Sequence, residues 1–557
     1  MSMKEPWWKK SVVYQIYPKS FKDTTGKGVG DLEGITSKLD YLKELGVDVI
    51  WLTPIYKSPQ RDNGYDISDY FDIHEEYGTM DDFDRLLEGA HKRGMKLIMD
   101  IVVNHTSTEH PWFQESRKSK DNPYRDFYIW KDGVDGGPPT NWESKFGGNA
   151  WEYDEQTSQY YLHLFDVTQA DLNWENEEVR KRVYDMMKFW FEKGVDGFRL
   201  DVINLISKDQ SFPNDYEGDG RRFYTDGPRA HEFMKEMNRE AFSQYDSMTV
   251  GEMSSTSIEH CIKYSNPENR ELSMTFNFHH LKVDYENGEK WTLADFDFLA
   301  LKDILSTWQE EMNKGGGWNA LFWCNHDQPR VVSRYGDDGK YRVESAKMLA
   351  TTVHMMQGTP YVYQGEEIGM TNPGFESIDD YRDVESLNIF KIKKEAGMSE
   401  NEILEILKSK SRDNSRTPVQ WNATENAGFT DGTPWINVAA NYPDINVEQA
   451  LADRDSVFYH YQKLIALRKE YDIITHGDYQ LILGDDKQIF AYVRNWNNEK
   501  LLVVNNFYGK NAQFELPGDI RVEGGEASVL ISNYEDHPED YRRFTLRPYE
   551  SVVFHLK

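Results

Sequence analysis

The chain contains 557 residues, and its 64 basic and 95 acidic side chains give a formal net charge of −31. This length exceeds the usual size of one hydrophobic core, so we expect two or three domains. The negative charge argues against nucleic acids and anionic membrane surfaces as binding partners.

The sequence shows no sign of a secretory signal, a membrane span or a disulfide framework. The first residues, MSMKEPWWKK, lack the apolar segment of a secretory signal. No run approaches the roughly 18 apolar residues that a membrane span needs. Two cysteines, Cys261 and Cys324, are too few for a disulfide framework. We therefore expect a cytoplasmic protein with no membrane partner, and nothing in the sequence identifies a protein partner.

The first hundred residues alternate between strand-like and helix-like segments. Short apolar runs at Val12 to Tyr17, Val47 to Thr53 and Lys96 to Asn104 are typical of buried strands. Between them lie helix-like segments, Ile35 to Leu45 and Met80 to Arg93, each followed by a glycine. Repeated strand, helix and glycine units predict a parallel sheet.

An interruption follows the third strand. Residues 105–172 are rich in Trp, Tyr, Pro and Gly without helical periodicity and are too long for an ordinary loop, so we expect an inserted subdomain. The alternation then resumes with a helix at Asn176 to Glu192 and further strands: Gly197 to Ile203, Met248 to Glu252, Met274 to Phe278, Ala320 to Cys324 and Pro360 to Gln364. Eight such strands predict an α/β fold, a (β/α)8 TIM barrel built from residues 1–104 and 173–477, whose chemistry lies at the carboxyl ends of its strands.

The last part of the chain changes character. A second insertion at about 370–421 is charged, and the helix-like segment Ser456 to Lys469 completes the barrel. Residues 478–557 contain short alternating strands at Gln480 to Leu483, Ile489 to Trp496, Leu501 to Asn506, Gln513 to Leu516, Val529 to Asn533 and Val552 to Leu556. This pattern predicts a separate C-terminal antiparallel β-sandwich domain.

Polar residues follow the predicted barrel strands where apolar ones would be ordinary. They are Asp62, Tyr65 and Asp66 after strand two, Asp100, Asn104 and His105 on strand three, Arg199 and Asp201 on strand four, Glu252 on strand five, and His326 and Asp327 on strand seven. An Arg and an Asp on one buried strand would also suit a structural ion pair. Convergence of several carboxylates at one barrel mouth, however, favours acid/base and carboxylate-nucleophile chemistry, of which glycoside transfer is the main case.

The sequence lacks the motifs of metal sites, phosphate-binding loops and serine nucleophiles. The sequence shows no Cys/His cluster at metal-ligand spacing, no glycine-rich phosphate loop that opens a helix and no GxSxG turn. We therefore predict no cofactor and no metal.

Four segments carry a family resemblance. They are DIVVNH (Asp100 to His105), GFRLDVIN (Gly197 to Asn204), VGEM (Val250 to Met253) and NHDQPR (Asn325 to Arg330). In order and spacing they resemble the strand-end motifs of the α-amylase family of glycoside hydrolases, and the resemblance covers essentially the whole chain. It implies a retaining α-glucoside hydrolase.

The resemblance also implies roles for individual residues. Asp201 would be the nucleophile, Glu252 the general acid/base and Asp327 a carboxylate that distorts and stabilises the sugar. The glucose at the cleaved end would be held by Asp62, Tyr65, His105, Arg199, His326 and Arg412. Because Arg199 lies two residues from Asp201 on the same strand, we expect it to lower the pKa of that carboxylate.

Longer stretches point to one type of substrate within the family. Ser207 to Phe233, Gly251 to Cys261, Met274 to Tyr285 and Phe322 to Arg330 resemble a member that acts on a small phosphorylated disaccharide. A dianionic substrate of a strongly acidic protein needs local cations. We expect these at Lys282, His280, Arg221 and Arg222, although the two arginines would also suit surface pairs with Asp219 and Asp226.

Two alternatives stay open. A valine directly after the candidate nucleophile, Val202, resembles the branch of the family that contains neutral-sugar oligo-1,6-glucosidases and dextran glucosidases. A transglycosylating sugar isomerase would have a similar sequence. A catalytically inactive relative that serves as a binding or transporter subunit is the other alternative.

The loop after strand one departs from the family pattern. Many relatives carry a divalent-cation loop of the form DxNxDGxGD, and the matching residues here are Asp23, Thr25, Lys27 and Asp31. A lysine among the ligands opposes a divalent ion. We expect Lys27 to pair with Asp23 and Asp31 in place of a metal.

Overall fold

The computed structural model describes residues 5–520 and 527–557. Its central element is an eight-stranded parallel sheet. The strands are β1 Val13–Ile16, β2 Val49–Leu52, β3 Lys96–Ile101, β4 Gly197–Leu200, β5 Met248–Glu252, β6 Met274–Phe276, β7 Ala320–Leu321 and β8 Thr359–Tyr363. Their order is β6-β5-β4-β3-β2-β1-β8-β7, and a parallel bridge between Thr275 and Asn319 joins the two edge strands. The predicted closed barrel is confirmed.

Helices surround this sheet. In chain order they are α1 Leu32–Ser37, α2 Leu39–Leu45, α3 Met80–Lys92, α4 Glu177–Lys193, α5 Ala230–Glu240, α6 Ile258–Ser265, α7 Phe298–Lys314, α8 Val331–Tyr335, α9 Arg342–His354, α10 Val384–Glu395, α11 Glu400–Lys410, α12 Asp413–Arg416, α13 Val447–Ala452, α14 Val457–Glu470 and α15 Asp472–His476. Among the described residues, no helix is long and apolar enough to cross a membrane.

The local sequence explains where helix α4 begins and ends and where strand β4 begins. Helix α4 starts at the Asn176 cap, whose side chain accepts from the Glu178 N–H, and it ends at Gly194 in the left-handed region. Gly197, at φ +155°, opens β4, and a Cβ there would lie 1.9 Å from the Met248 carbonyl oxygen. Only glycine therefore lets β4 start this close to β5.

Two segments between the early strands build the rim of the barrel. A hairpin of Tyr56–Lys57 with Asp69–Ile73 follows β2 and was not expected from the sequence. The segment 105–172, which we keep as the proposed extent of the insertion, contains a helix, Pro111–Ser116, and an antiparallel sheet of Trp130–Lys131, Gln159–Leu162 and Trp151–Asp154. The strands His105–Ser107 and Gln169–Asp171 pair where this segment leaves and rejoins the barrel.

The C-terminal region forms two antiparallel sheets around a core of its own. Its strands are β9 Asp478–Ile482, β10 Ile489–Trp496, β11 Glu499–Asn506, β12 Ala512–Glu515, β13 Ala527–Ser532, β14 Arg543–Leu546 and β15 Ser551–Leu556. The sequence prediction missed β14, which pairs with β12. The buried Lys302 ammonium on α7 donates to the carbonyls of Leu483, Asp486 and Ile489, which ties this region to the barrel.

Candidate active site

The buried guanidinium of Arg199 gathers three carboxylates at the carboxyl ends of β3, β4 and β5. Its Nη1 lies 2.8 Å from Asp100 Oδ1 and 2.6 Å from Asp201 Oδ1, and its Nη2 lies 2.6 Å from Glu252 Oε2. Arg199 is 1% exposed, so one desolvated positive charge faces three negative groups. A buried cluster of one cation and three carboxylates favours the protonated form of the acids, because protons offset the excess negative charge.

The pKa of the candidate nucleophile reflects this excess. Burial raises the pKa of Asp201 well above its usual value, Arg199 opposes that effect, and Glu252 adds to it through charge and a side-chain hydrogen bond. The charge of Arg199 lowers this pKa, as we expected, but one arginine shared by three acids does not offset the effect of burial. Burial likewise raises the pKa of Asp100 to about 6. Two of the three acids that contact Arg199 therefore have raised pKa values.

The turn after Asp201 is strained. Val202 adopts φ 36° and ψ 39°, a left-handed conformation that is a rare outlier for a β-branched residue. In this conformation its backbone N–H donates to Glu252 Oε2 at 3.1 Å. The strain thus coincides with a contact that links the two candidate catalytic carboxylates.

The third candidate carboxylate, Asp327, lies beside two arginines and a buried histidine. Arg416 Nη2 approaches its Oδ1 to 2.7 Å and Arg412 Nη1 to 3.3 Å, and His326 Nε2 lies 3.3 Å from Oδ2. Burial alone would raise the pKa of Asp327, but His326, Arg412 and Arg416 hold it well below its usual range. Asp327 is therefore ionised across the whole physiological range.

Asp62 and Arg412 close one end of the site. Their side chains meet at 3.2 Å, and Gln169 Nε2 donates to the other Asp62 oxygen at 3.0 Å. Burial raises the pKa of Asp62 to about 7, with Arg412 opposing. Arg412 also binds Asp383, a residue that no sequence signal had singled out.

The remaining candidates for sugar contact lie in the same place. The Tyr65 ring stacks on His326 with centroids 5.1 Å apart, and its hydroxyl donates to Asp100 Oδ2 at 3.0 Å. His105 Nε2 lies 3.2 Å from the Tyr65 carbonyl oxygen. A stacked, buried aromatic pair provides a flat wall for a glucose ring.

Most of these groups line one cleft of about 250 Å³, whereas Arg199 and His326 are buried and do not line it. Its wall combines Asp201, Glu252, Asp327, Asp62, Tyr65, His105 and Arg412 with residues that the sequence reasoning missed: Lys145, Phe146, Phe165, Gln169, Ser254, Lys290, Gln328 and Glu385. Most of the missed residues come from the two insertions, whose irregular sequence gives no periodic signal. The cleft is large enough for a small sugar and contains the groups that acid/base chemistry requires.

Cations gather on the Glu252 side of the cleft. Lys145 Nζ lies 3.4 Å from Ser254 Oγ, and burial together with the charge of Arg221 lowers the pKa of Lys145 to about 8. Partial burial and Arg221 also lower the pKa of Lys282. Arg221 itself forms a double contact with Asp219. Within the described ranges, neither lysine forms an ion pair with a carboxylate.

Two sequence candidates for phosphate contact are placed elsewhere. His280 is 5% exposed, and its Nε2 lies 2.9 Å from the Phe322 carbonyl oxygen. Burial lowers the pKa of His280 to about 4, so the side chain is neutral and unavailable to an anion. Arg222 pairs with Asp215 at 2.7 Å and Glu217 at 2.6 Å. Neither of these is Asp226, the partner that the sequence had suggested.

The loop after β1 is also stabilised differently from our expectation. The Asp23 carboxylate accepts from the backbone N–H groups of Thr25 and Gly28, both at 2.7 Å, and from Thr430 Oγ1 at 2.5 Å. Lys27 is exposed and forms no ion pair within residues 5–520 and 527–557, so the predicted Lys27 pairing is wrong. Backbone amides satisfy this carboxylate.

Two regions of the chain match known protein families. Residues 15–477 match the family described as alpha amylase, catalytic domain, and residues 489–553 match the alpha-amylase SusG C-terminal domain. The chain is 71% identical over 552 residues to the trehalose-6-phosphate hydrolase of Bacillus subtilis (strain 168), covering 99% of this chain and 98% of that protein.

Two further comparisons extend this picture. The oligo-1,6-glucosidase of Parageobacillus thermoglucosidasius is 58% identical, with 100% of both chains covered. A crystal structure of Bacillus licheniformis trehalose-6-phosphate hydrolase has a TM-score of 0.96 at 74% identity, covering 99% of this chain and 100% of that chain. With its barrel, its strand-end carboxylates and a catalytic-domain match that spans most of its length, this chain belongs to the α-amylase family.

Proposed function

We propose that this protein hydrolyses trehalose 6-phosphate to glucose and glucose 6-phosphate, with retention of the anomeric configuration. The names of the relatives at 71% and 74% identity support the substrate. The observation that carries the proposal is Lys145 in the wall of the cleft, with Lys282 near enough for its charge to lower the pKa of Lys145. In a chain with a net charge of −31, two neighbouring cations without carboxylate partners among the described residues need an anionic ligand.

The first chemical step uses the carboxyl groups of Asp201 and Glu252, which both contact Arg199. The unphosphorylated glucosyl unit lies at the closed end, between Asp62, Arg412 and the Tyr65–His326 stack. Asp201 attacks the anomeric carbon as its bond to the bridging oxygen breaks, and Glu252 donates its proton to that oxygen. Glucose 6-phosphate leaves, and the glucosyl unit remains bonded to Asp201. This step requires an ionised Asp201 and a protonated Glu252 when the substrate is bound.

The second step regenerates the enzyme. Glu252, now ionised, takes a proton from a water molecule that attacks the same carbon and releases glucose. Retaining enzymes hold the two carboxyls roughly 5–5.5 Å apart, whereas inverting enzymes need roughly 6.5–9.5 Å to admit water between them. Asp201 and Glu252 each lie 2.6 Å from the same Arg199 guanidinium, and this common partner favours the shorter spacing. Asp327, kept ionised by its cations, would stabilise positive charge on the sugar in both transition states.

The leaving group would be recognised by the cations on the Glu252 side. Lys145 and Lys282 would bind the phosphate as point charges, and Arg221, held by Asp219, would add to the positive field. We withdraw His280 because it is buried and neutral. Arg222 becomes a weaker candidate because Asp215 and Glu217 already occupy it.

The test compares a phosphorylated with a neutral substrate. We expect Lys145→Ala and Lys282→Ala each to raise the KM for trehalose 6-phosphate about tenfold, the effect of losing one charge-assisted hydrogen bond. The KM for an uncharged aryl α-glucoside should change less than twofold. Arg222→Ala provides the comparison: because Asp215 and Glu217 already pair with Arg222, its loss should raise the KM for trehalose 6-phosphate less than the loss of either lysine.

Equal losses on both substrates would contradict a phosphate role for the lysines.

The second candidate function, a neutral-sugar oligo-1,6-glucosidase, is favoured by the 58% identical relative and by Val202 beside the nucleophile. Faster turnover of isomaltose than of trehalose 6-phosphate would select it. We propose a cytoplasmic location, because a sugar phosphate does not cross a lipid membrane unaided.

A further inference from the structure

A second groove lies outside the cleft, between the rim hairpin, the Pro111–Ser116 helix and α4. Its volume is about 380 Å³, within the range of small-molecule sites. Aromatic side chains form part of its wall: Phe71 is 46% exposed, and Trp112 is partly exposed. None of the groups proposed for catalysis lines this groove.

The polar groups in the groove have capacity for a ligand. His110 is 6% exposed, its Nδ1 accepts from the Trp112 backbone N–H at 3.1 Å, and burial lowers its pKa to about 3. A neutral imidazole whose Nδ1 accepts carries its proton on Nε2. That Nε2–H has no hydrogen-bond partner among the described residues, and His110 lines the groove.

Other donors and acceptors surround this imidazole. The Trp112 indole N–H and the Asp185 carboxylate have no partner in the part of the chain that the structure describes. Arg182 binds Glu178 through Nε only, which leaves its terminal nitrogens available. Asp69 lies on the same wall and accepts from the Phe71 N–H. The groove thus offers donors and acceptors together beside exposed ring faces.

The charge of the groove selects among ligands. Among the described residues that line the groove, the acidic side chains of Asp69 and Asp185 outnumber the one basic side chain, Arg182, whose charge is partly offset by Glu178. A phosphorylated or other anionic ligand would be repelled. A neutral ring with an apolar face and several hydroxyls matches both the aromatic wall and the mixed donors and acceptors.

We infer that this groove is a second carbohydrate-binding site that takes a neutral glucosyl unit through Trp112, Phe71, His110 and Asp185. The choice of glucose rests on the proposed function, which releases it as a product. A sugar bound here would contact Tyr70, whose hydroxyl donates to the carbonyl oxygens of Val102 and His105 at 2.7 and 3.1 Å. The groove therefore touches a side chain that supports the strand end carrying His105.

The experiment removes the catalytic cleft from the measurement. The full chain is treated with a glucose-shaped epoxide that esterifies Asp201, excess reagent is removed, and saturation-transfer NMR then reports glucose binding to the blocked enzyme. Failure of the labelling would count against the proposed function and is read separately, by mass spectrometry. With labelled protein, a glucose signal is expected, whereas glucose 6-phosphate should give none.

Variants assign that signal to the groove. We expect Trp112→Ala and Asp185→Asn each to weaken glucose binding about tenfold. Glu192→Gln, an exposed carboxylate on the same helix outside the groove, should leave binding unchanged. Because Trp112 packs against Phe127 and its loss could affect folding, Asp185→Asn and Phe71→Ser carry the decision if that variant misfolds. Absence of a glucose signal in the blocked enzyme, equal binding of glucose 6-phosphate, or unchanged binding in these variants would overturn the inference.

Discussion

The two ends of the catalytic cleft treat charge in opposite ways. At the closed end, Arg412 contacts Asp62, Asp327 and Asp383, so its positive charge is offset inside the protein. At the other end, Lys145 and Lys282 lie near each other and near Arg221 without carboxylates of their own among the described residues. The closed end therefore suits an uncharged sugar, and the open end suits a sugar that brings its own negative charge.

This contrast also separates two kinds of contribution to activity. Paired charges that hold a neutral ring contribute to every substrate with that ring. Cations without internal partners contribute only when the substrate supplies an anion. Substitutions at the two ends should therefore give different ratios of activity on phosphorylated and neutral glucosides.

The largest expected effect lies between the two ends, at the reacting carbon. Asp201→Asn should lower kcat by at least about 10⁴-fold on both substrates, because the amide cannot form the glucosyl ester. Binding of trehalose 6-phosphate should persist, since both ends remain intact. Calorimetric titration of the variant measures this, and complete loss of binding would show that the ends do not act independently.

The same variant should be more stable than the parent. An acid whose folded pKa exceeds its unfolded value destabilises the fold at any pH above the unfolded value, which is near 4 for Asp. Burial and Glu252 raise the pKa of Asp201. Replacing it by a neutral amide should raise the thermal midpoint at pH 7 by about 2 °C or more. A lower midpoint would contradict the excess of negative charge around Arg199.

Loss of the closed end comes next in size. Arg412→Ala should lower kcat/KM by about 10²-fold for trehalose 6-phosphate and for a neutral aryl glucoside alike, because it misplaces the ring that both share. It also removes the ion pair of Asp62 and leaves Asp383 with Arg416 alone at 3.5 Å, so folding must be verified by circular dichroism. A selective loss on the phosphorylated substrate would contradict the division between the two ends.

The smallest effect is a pH dependence of substrate preference. With a pKa of about 8, Lys145 loses its charge as pH rises from 7 to 9. The ratio of kcat/KM for trehalose 6-phosphate to that for the neutral glucoside should therefore fall several-fold over this range. Taking the ratio cancels titration of the shared catalytic carboxyls. Lys145→Ala should flatten the curve, and an unchanged slope in that variant would exclude Lys145 as its cause.

Much of the barrel and its carboxylates could be predicted because they follow a rule. Parallel strands end at one edge, so a polar residue after a buried run, such as Asp201 or Glu252, has few places to go. Lys145 and Asp383 were missed because they lie in irregular insertions, where neighbours in space are unrelated to spacing in sequence. His280 was misplaced for a different reason. It lies in a single 3₁₀ turn, His279–Leu281, in which successive side chains point in different directions.

The sequence could also not show how charge is shared. Proximity of Arg199 to Asp201 suggested a lowered pKa, but the sign depends on how many other acids use the same guanidinium. Likewise Lys27 replaces a carboxylate in the pattern without taking over its contacts, because the backbone of the loop reaches Asp23 first. Counting partners requires coordinates.

The left-handed backbone of Val202 has a consequence for how this chain can change. A branched side chain held in that conformation costs on the order of 1–3 kcal/mol, which surrounding packing must offset. Glycine would relieve this cost, but its freer backbone would hold the contact between the residue 202 N–H and Glu252 less firmly. A substitution that relaxes this turn therefore also loosens the contact that holds Glu252 beside Asp201, so relief of strain and exact placement of the two carboxyls oppose each other at this position.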